Sequence, residues 1–249
     1  MNQLSKSDQI LKVIIPVYNE GANFAILYDG LSVIRTPFEA FVIYDLEDDN
    51  TIPAVNRVIN CGDHRFHLHR NDTFPGPAGA LLTGFRLAAS GPVLVLMADL
   101  SDDLAQVDRM VQLHRDGYHL VSASRYARGG LQIGGPFLKR ILSRCAGRSL
   151  RLLRGLPTSD ATNSFRLYDA EMLNSLQIES CSGFEITLEI TVKAFLAGYR
   201  LAEIPATWHD RSSGESHFRL WTWLPDYLKW YFYAFRPRIS RSRKLAAVS

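Results

Sequence analysis

Charged residues recur in one kind of place in this sequence, at the end of a short apolar run. Lys12–Val17 leads into Tyr18-Asn19-Glu20, and Phe41–Tyr44 into Asp45-Leu46-Glu47-Asp48-Asp49-Asn50-Thr51. Val93–Met97 is followed, after Ala98, by Asp99-Leu100-Ser101-Asp102-Asp103, and Leu120–Ala123 by Ser124-Arg125-Tyr126. Carboxylates gathered this densely repel one another unless a cation sits among them, and an all-oxygen donor set suits a hard ion such as Mg2+ or Mn2+. An arginine at the next run's end suits a phosphate that also touches that cation. The pattern contains neither a dinucleotide-binding fingerprint nor a P-loop, which disfavours Rossmann oxidoreductases and P-loop ATPases.

The elements that must position these residues follow from the apolar runs. Lys12–Val17, Phe41–Tyr44, Phe66–Leu68, Val93–Met97 and Leu120–Ala123 have strand length and composition. Helices are predicted between them over Gly21–Ile34, Pro53–Cys61, Ala78–Ala89 and Asp103–Asp116. Strands apolar on both faces, alternating with helices, predict an α/β fold with a mostly parallel sheet flanked by helices. Ligands of such sheets bind at the carboxyl ends of the strands, where the charged residues lie. Further on, a Gly-rich loop opens a basic segment over residues 129–150, with Lys139, Arg140, Arg144 and Arg148. A helix predicted over residues 183–197 places Glu185 and Glu189 one turn apart, and an extended run follows at Leu201–Thr207.

Composition sets the outer bounds. The chain has 249 residues, 47% hydrophobic and 21% charged, which is ordinary for a globular protein and excludes a disordered or collagenous one. Cys61, Cys145 and Cys181 are too few and scattered for a disulfide framework; buried, reduced thiols are expected. His64, His67 and His69 decorate one face of a strand or loop without a fourth ligand in register, so a zinc site there is disfavoured. Gly76, Gly79 and Gly84 are expected to serve turns and close helix approach. The net charge of +3 is unevenly placed: residues 236–249 carry five basic residues and no acid, leaving 23 basic against 25 acidic elsewhere.

Taken in chain order, the motifs resemble the family 2 inverting glycosyltransferases of the GT-A fold, within them the polyprenyl-phosphate (dolichol-phosphate) mannosyltransferase-like enzymes. The resemblance rests on VIIPVYNE at 13–20, IYDLEDDNT at 43–51, GPAGALLTGFRLA at 76–88, MADLSDD at 97–103, SASRY at 122–126, KRILSR at 139–144, SDATNSFRLY at 159–168, FEITLE at 184–189 and DRSSGES at 210–216. It implies a Rossmann-like GT-A catalytic domain over 1–216. It also implies nucleotide contacts from Pro16, Tyr18, Glu20, Tyr44 and Asp45, and a divalent cation on Asp99 with Ser101 as the second ligand. Two departures stand out: Tyr44-Asp45 replaces paired aspartates, and Met97-Ala98-Asp99 lacks the first carboxylate of an Asp-x-Asp. Asp102 or Asp103 is placed to compensate.

The implied reaction transfers a hexose, mannose first, from a nucleotide diphosphate sugar to a polyprenyl phosphate, with inversion. GDP-mannose is the first donor expected and a UDP-hexose the second. A divalent cation neutralises the leaving diphosphate. A phosphate monoester acceptor is already an oxyanion and needs no general base, only cations to hold it. The acceptor phosphate set is therefore Arg125, Lys139, Arg140, Ser143, Arg211 and His217, the last replacing a lysine usual in the resembled subgroup. The catalytic set is Asp99, Arg125, Glu189 and Arg211, with a salt bridge to Arg166 as the structural alternative for Glu189. Two other readings stay open. One is a family 2 enzyme acting on a saccharide hydroxyl, with Glu189, Asp160 or Asp102 as base; the other is a non-catalytic sugar-nucleotide-binding partner subunit.

Residues 217–249 are expected as an aromatic interfacial helix and basic tail. Nine of the nineteen residues from Phe218 to Arg236 are aromatic, and Trp and Tyr favour the membrane–water interface. Peripheral attachment to the inner face of the membrane from the cytoplasm follows, with packing on the protein's own domain, a membrane-protein partner or a homodimer as alternatives. No nucleic-acid module accompanies the basic tail, so nucleic acid is not an expected partner.

Overall fold

The computed structural model describes residues 9–210 and 220–238. Arg211, His217 and most of the basic tail lie outside the described residues. Nine strands and eight α-helices are described: β1 (Leu11–Val17), α1 (Gly21–Gly30), β2 (Phe38–Tyr44), α2 (Thr51–Asn60), β3 (Phe66–Arg70), α3 (Pro77–Leu87), β4 (Pro92–Val95), α4 (Val107–Arg115), β5 (Leu120–Ser124), β6 (Leu131–Ile133), α5 (Phe137–Arg154), β7 (Arg166–Asp169), α6 (Ala170–Ser175), α7 (Glu185–Leu196), β8 (Leu201–Pro205), β9 (Thr207–His209) and α8 (Leu220–Tyr233).

Seven strands form one sheet in the order β3-β2-β1-β4-β7-β5-β8. β1 pairs in parallel with β2 and β4, β2 with β3, and β5 with β8; β7 alone runs antiparallel, to β4 on one side and β5 on the other. The parallel pairs are predicted by the apolar runs. β7 is not: its four residues begin with a buried arginine, and it enters the sheet from the polar segment 159–166. The expected run Leu201–Thr207 divides at Ala206, so that β8 joins the main sheet and β9 pairs with β6 in a separate ribbon.

Each sheet face has its own core. Ile14, Val93, Val95 and Tyr168 pack under α3, α6, α7 and α8, while Val13, Ile15, Val42 and Leu167 pack under α1, α2 and α4. α3 sits so close to β1 that a Cβ on Gly84 would run into the Ile14 side chain, and a Cβ on Gly79 into the Phe74 carbonyl. Gly76 precedes α3 with φ 103°, a conformation that glycine adopts without strain. The three cysteines are free, as expected, but exposed on the surface and not buried.

The aromatic C-terminal segment is seated on the domain. α8 lies against α7 and α5, with Trp230 only 1% exposed. Its indole N–H donates to Ser180 Oγ at 2.9 Å, and Lys193 Nζ stands 4.7 Å from the ring centre. Tyr231 shares a hydrogen bond with Ser149 of α5 at 2.9 Å. Of the described aromatic residues of this segment, Trp223, Tyr227, Trp230, Tyr231 and Tyr233 are buried or half-buried, while Phe232 and Phe235 are exposed. No helix among the described residues is long and apolar enough to cross a membrane.

Candidate active site

The ends of β1 and β2 carry the expected nucleotide residues, and their side chains first shape the loops. Asn19 has φ 56°; its amide donates to Asp49 Oδ2 at 3.1 Å, and Asp49 Oδ1 accepts the Thr51 amide at 2.8 Å. The Glu20 amide donates to Thr51 Oγ1 and the Gly21 amide to Asn50 Oδ1. Buried Asp49 therefore binds the post-β1 turn to the start of α2. Asp45 does the same one strand over, accepting Asn71 Nδ2 at 2.6 Å and the Gly76 amide at 2.8 Å. Glu20 accepts Asn23 Nδ2 at 2.6 Å, and Tyr18 is exposed. Pro16 lies within β1 opposite Ile43, and Tyr44 ends β2 opposite Val17. Asp49 and Asn71 were not singled out from sequence, although Asp-x-Thr is a pattern that closes a turn on its own backbone.

Beyond β4, Asp99 is buried at the head of a turn whose Leu100 has φ 63°. Its Oδ1 accepts the Ser101 amide at 3.2 Å. Asp102 accepts the Met97 amide at 3.0 Å, closing the same turn from the other side. Burial, and then the neighbouring Asp99 charge, push the Asp102 carboxyl up to about 8. Two acids crowded at a strand end are what an added cation relieves. Among the described residues no group of three or more His, Cys, Asp or Glu side chains surrounds a common position. Asp99 and Asp102 would offer a hard divalent cation one or two carboxylates, with its remaining ligands coming from elsewhere.

The same turn reaches the far side of the site. The Ser101 carbonyl accepts the His209 amide at 3.2 Å and Asp103 Oδ2 the Thr207 amide at 3.3 Å, so β9 is tied to the Asp99 loop. Trp208, between those two anchors, lies over Arg125, with the guanidinium carbon 5.8 Å from the ring centre and Tyr126 at 5.1 Å on its own ring.

Arg125 makes a two-pronged contact with Asp160, Nε to Oδ2 at 2.7 Å and Nη2 to Oδ1 at 2.8 Å. Its Nη2 also reaches Ser143 Oγ at 3.3 Å and Thr162 Oγ1 at 3.4 Å, and those hydroxyls are 2.6 Å apart. Burial would favour neutral forms of both charged groups. The attraction between them outweighs it, lowering the pKa of Asp160 and raising that of Arg125. Asp160 is also braced from behind, because Arg166 Nη2 donates to its carbonyl at 2.7 Å.

The structure thus brings Arg125 and Ser143 of the expected acceptor set together and adds Thr162, Tyr126 and Trp208. Arg140 leans on the Phe137 ring at 5.6 Å, while Arg144 faces the Tyr126 ring at 5.8 Å. Lys139 lies on the first turn of α5. Glu189 sits elsewhere: it is fully buried in α7, accepting the amides of Glu179 and Ser180 at 2.7 and 2.8 Å and Lys193 Nζ at 2.6 Å. Its partner is Lys193 and not Arg166, because Arg166 is taken up by the carbonyls of Asp160 and Asn163 and by the Thr191 hydroxyl.

A mostly parallel sheet with its charged residues on the carboxyl rim is the frame of an α/β protein that binds its ligand at the strand ends. The glycosyl transferase family 2 model matches residues 12–176, and the chain belongs to that family and is a glycosyltransferase. It is 28% identical over 209 residues to the polyprenol monophosphomannose synthase of Mycolicibacterium smegmatis, covering 82% of this chain and 79% of that one. It is 29% identical over 209 residues to the undecaprenyl-phosphate mannosyltransferase of Micrococcus luteus, covering 82% and 85%. Among solved structures, glucosyl-3-phosphoglycerate synthase from Mycobacterium tuberculosis in complex with Mn2+, UDP and glucosyl-3-phosphoglycerate superposes with a TM-score of 0.67 at 17% identity, covering 95% of this chain and 83% of that one. The same enzyme with Mg2+ and UDP gives a TM-score of 0.68. The fold is the GT-A fold.

Proposed function

We propose that this enzyme transfers mannose from a nucleotide diphosphate sugar, GDP-mannose first, to a polyprenyl phosphate, with inversion. The observation that carries this reading is the fate of the candidate bases. A hydroxyl acceptor needs a base on the face of the sugar opposite the leaving group. Asp160 and Glu189, two of the three carboxylates proposed for that role, are fully buried and fully engaged. The third, Asp102, shares its turn with Asp99 and so belongs to the leaving-group side. An acceptor that carries its own negative charge fits a site that offers hydroxyls and cations in place of a base. One bacterial relative is named a polyprenol monophosphomannose synthase and the other an undecaprenyl-phosphate mannosyltransferase, which supports the same reading.

In this reading Asp99, with Ser101 beside it, would hold a divalent cation, whose chemistry there would be to offset negative charge on the diphosphate. The loops fixed by Asp45 and Asp49 hold Pro16, Tyr18, Glu20 and Tyr44 for base and ribose. Arg125, Ser143 and Thr162 receive the acceptor phosphate, with Lys139, Arg140, Arg211 and His217 completing the positive side. Asp160 fixes the Arg125 fork, so that the planar guanidinium presents a set orientation. The enzyme works as a peripheral protein on the cytoplasmic face of the membrane, alone or with a membrane-protein partner or second copy.

The test is a panel of radiolabelled sugar nucleotides incubated with undecaprenyl phosphate and Mg2+ or Mn2+. Label from GDP-mannose should enter the lipid phase and cease to do so when the metal is chelated. Labelling of a soluble glycan with none in lipid would overturn the acceptor, and no transfer from any donor would favour a non-catalytic binding subunit.

A further inference from the structure

We propose that Glu203 of β8 is a positioning residue for Arg125, acting through the residues that stand between them. The proposal rests on the reading of Arg125 as a ligand of the acceptor phosphate. Glu203 lies opposite Ser122 of β5, on the face of the sheet that carries Ser124 two residues later. Its side chain is only 8% exposed, and its two oxygens have separate duties. Oε1 accepts the Ser159 amide at 2.5 Å, the Ser159 hydroxyl at 2.6 Å and the Thr158 hydroxyl at 3.1 Å. Oε2 accepts Arg151 Nη1 of α5 at 2.6 Å.

An ionised carboxylate only accepts, so it fixes the direction of each hydroxyl beyond it. Ser159 gives its proton to Glu203, which leaves Ser159 Oγ to accept from Ser124 Oγ, 3.4 Å away. Ser124 Oγ in turn accepts the amides of Tyr126 and Ala127 at 3.2 and 3.0 Å. That chain ends on the turn that carries Arg125. A second chain is shorter. Thr158 also gives its proton to Glu203, and its Oγ1 accepts the Asp160 amide at 3.1 Å. Asp160 is the carboxylate that grips the Arg125 fork. One buried oxygen therefore sets both the backbone turn of Arg125 and the side chain that orients it.

Oε2 adds a tie to α5. This helix crosses the 158–160 loop so closely that a Cβ on Gly147 would overlap the Ser159 carbonyl. One turn before Gly147, Ser143 reaches Arg125 Nη2 at 3.3 Å, and one turn after it, Arg151 meets Glu203. Arg151 is 52% exposed, and an ion pair in that setting contributes little, so the loop side of Glu203 carries the greater weight. The loops after β1, β2 and β4 share none of these hydrogen bonds. A positioning role should therefore show at the acceptor and not at the sugar nucleotide, whereas a purely structural role favours neither.

The test combines steady-state kinetics, with GDP-mannose and a short, water-soluble prenyl phosphate, with NMR of the arginine Nε–H signals. The Arg125 signal is the one missing from Arg125→Lys. Glu203→Ala should raise KM for the prenyl phosphate by about tenfold, with KM for GDP-mannose unchanged, because small misplacements of a binding group are costly. The Arg125 Nε–H should exchange with water severalfold faster. Glu203→Gln, with its carbonyl in place of Oε1, should restore both readouts while giving up the tie to Arg151. If Glu203→Ala does not fold, Glu203→Asp withdraws the carboxylate by one methylene and should move both readouts the same way. A lower unfolding midpoint with the prenyl phosphate KM and the Arg125 signal both at wild-type values would overturn the proposal. So would an equal rise in both KM values. Absence of turnover in the wild type counts against the proposed function and leaves the Arg125 signal to decide positioning.

Discussion

The two halves of the strand-end rim use their charges in opposite ways. On the β1–β2–β4 side, carboxylates accept backbone amides: Asp45 from Gly76, Asp49 from Asn19 and Thr51, Asp99 from Ser101, Asp102 from Met97. On the β5–β7 side, one carboxylate is matched by one guanidinium, with two hydroxyls beside them. The first arrangement gathers acids at the strand ends, the setting that an added cation relieves. The second pairs its one carboxylate with a guanidinium and so holds that guanidinium in a fixed orientation. Removing a carboxylate on one side should therefore cost mainly activity, and on the other mainly stability.

The largest expected effect lies on the β5–β7 side. Asp160→Ala leaves Arg125 largely buried without its partner, at a cost of about 3–5 kcal/mol in urea denaturation. The pair also has a pH signature. The pKa of Asp160 is lowered because the attraction of Arg125 outweighs burial. The stability it contributes is therefore complete above the ordinary aspartate range and is lost as pH falls through its depressed value. In Asp160→Asn this part of the acid limb should flatten, and an unchanged limb would mean that the pair contributes nothing. On the β1–β2–β4 side, Asp99→Ala should lower turnover by about 10²–10³-fold while leaving the unfolding midpoint close to wild type. A stability loss as large as that of Asp160→Ala would erase the contrast between the two halves.

The parallel strands, their flanking helices and the strand-end residues are legible in the sequence because apolar runs and the turns after them are local patterns. β7 is not, since a fully buried Arg166 at its start is stabilised by carbonyls from Asp160 and Asn163 and by Thr191, none of which forms a periodic pattern with it. Nor is the role of Glu189: on a helix buried all round, spacing does not distinguish an active-site carboxylate from one tied to Lys193 and two amides. Arg125 is placed correctly at a strand end, but its partner lies 35 residues away in the chain. The aromatic richness of residues 218–236 is equally compatible with a membrane interface and a packed seam; Trp230 goes to the seam and Phe232 outward.

A smaller effect probes loop order within the β1–β2–β4 half. Asp49→Ala removes the acceptor for two amides in a buried turn, worth about 1–3 kcal/mol. Because that turn carries Asn19 and Glu20, KM for the sugar nucleotide should rise more than kcat falls. The reverse split would place Asp49 in the chemistry and not in the positioning of the loop.

The smallest expected effect lies where α8 meets the body. Ser180→Ala deletes the acceptor of the Trp230 indole N–H, leaving a buried donor unpaired. A neutral hydrogen bond of this kind is worth about 0.5–1.5 kcal/mol, and the unpaired donor places the loss toward the upper end. Trp230 keeps its packing and the Lys193 contact over its ring, so α8 should stay seated and turnover should not change. If Ser180→Ala instead released α8, seen as faster amide exchange across 227–234 at unchanged exchange in β1 and β2, the seam would be held by that one bond. α8 would then be a detachable element, and the aromatic surface it covers would become available to the membrane after all.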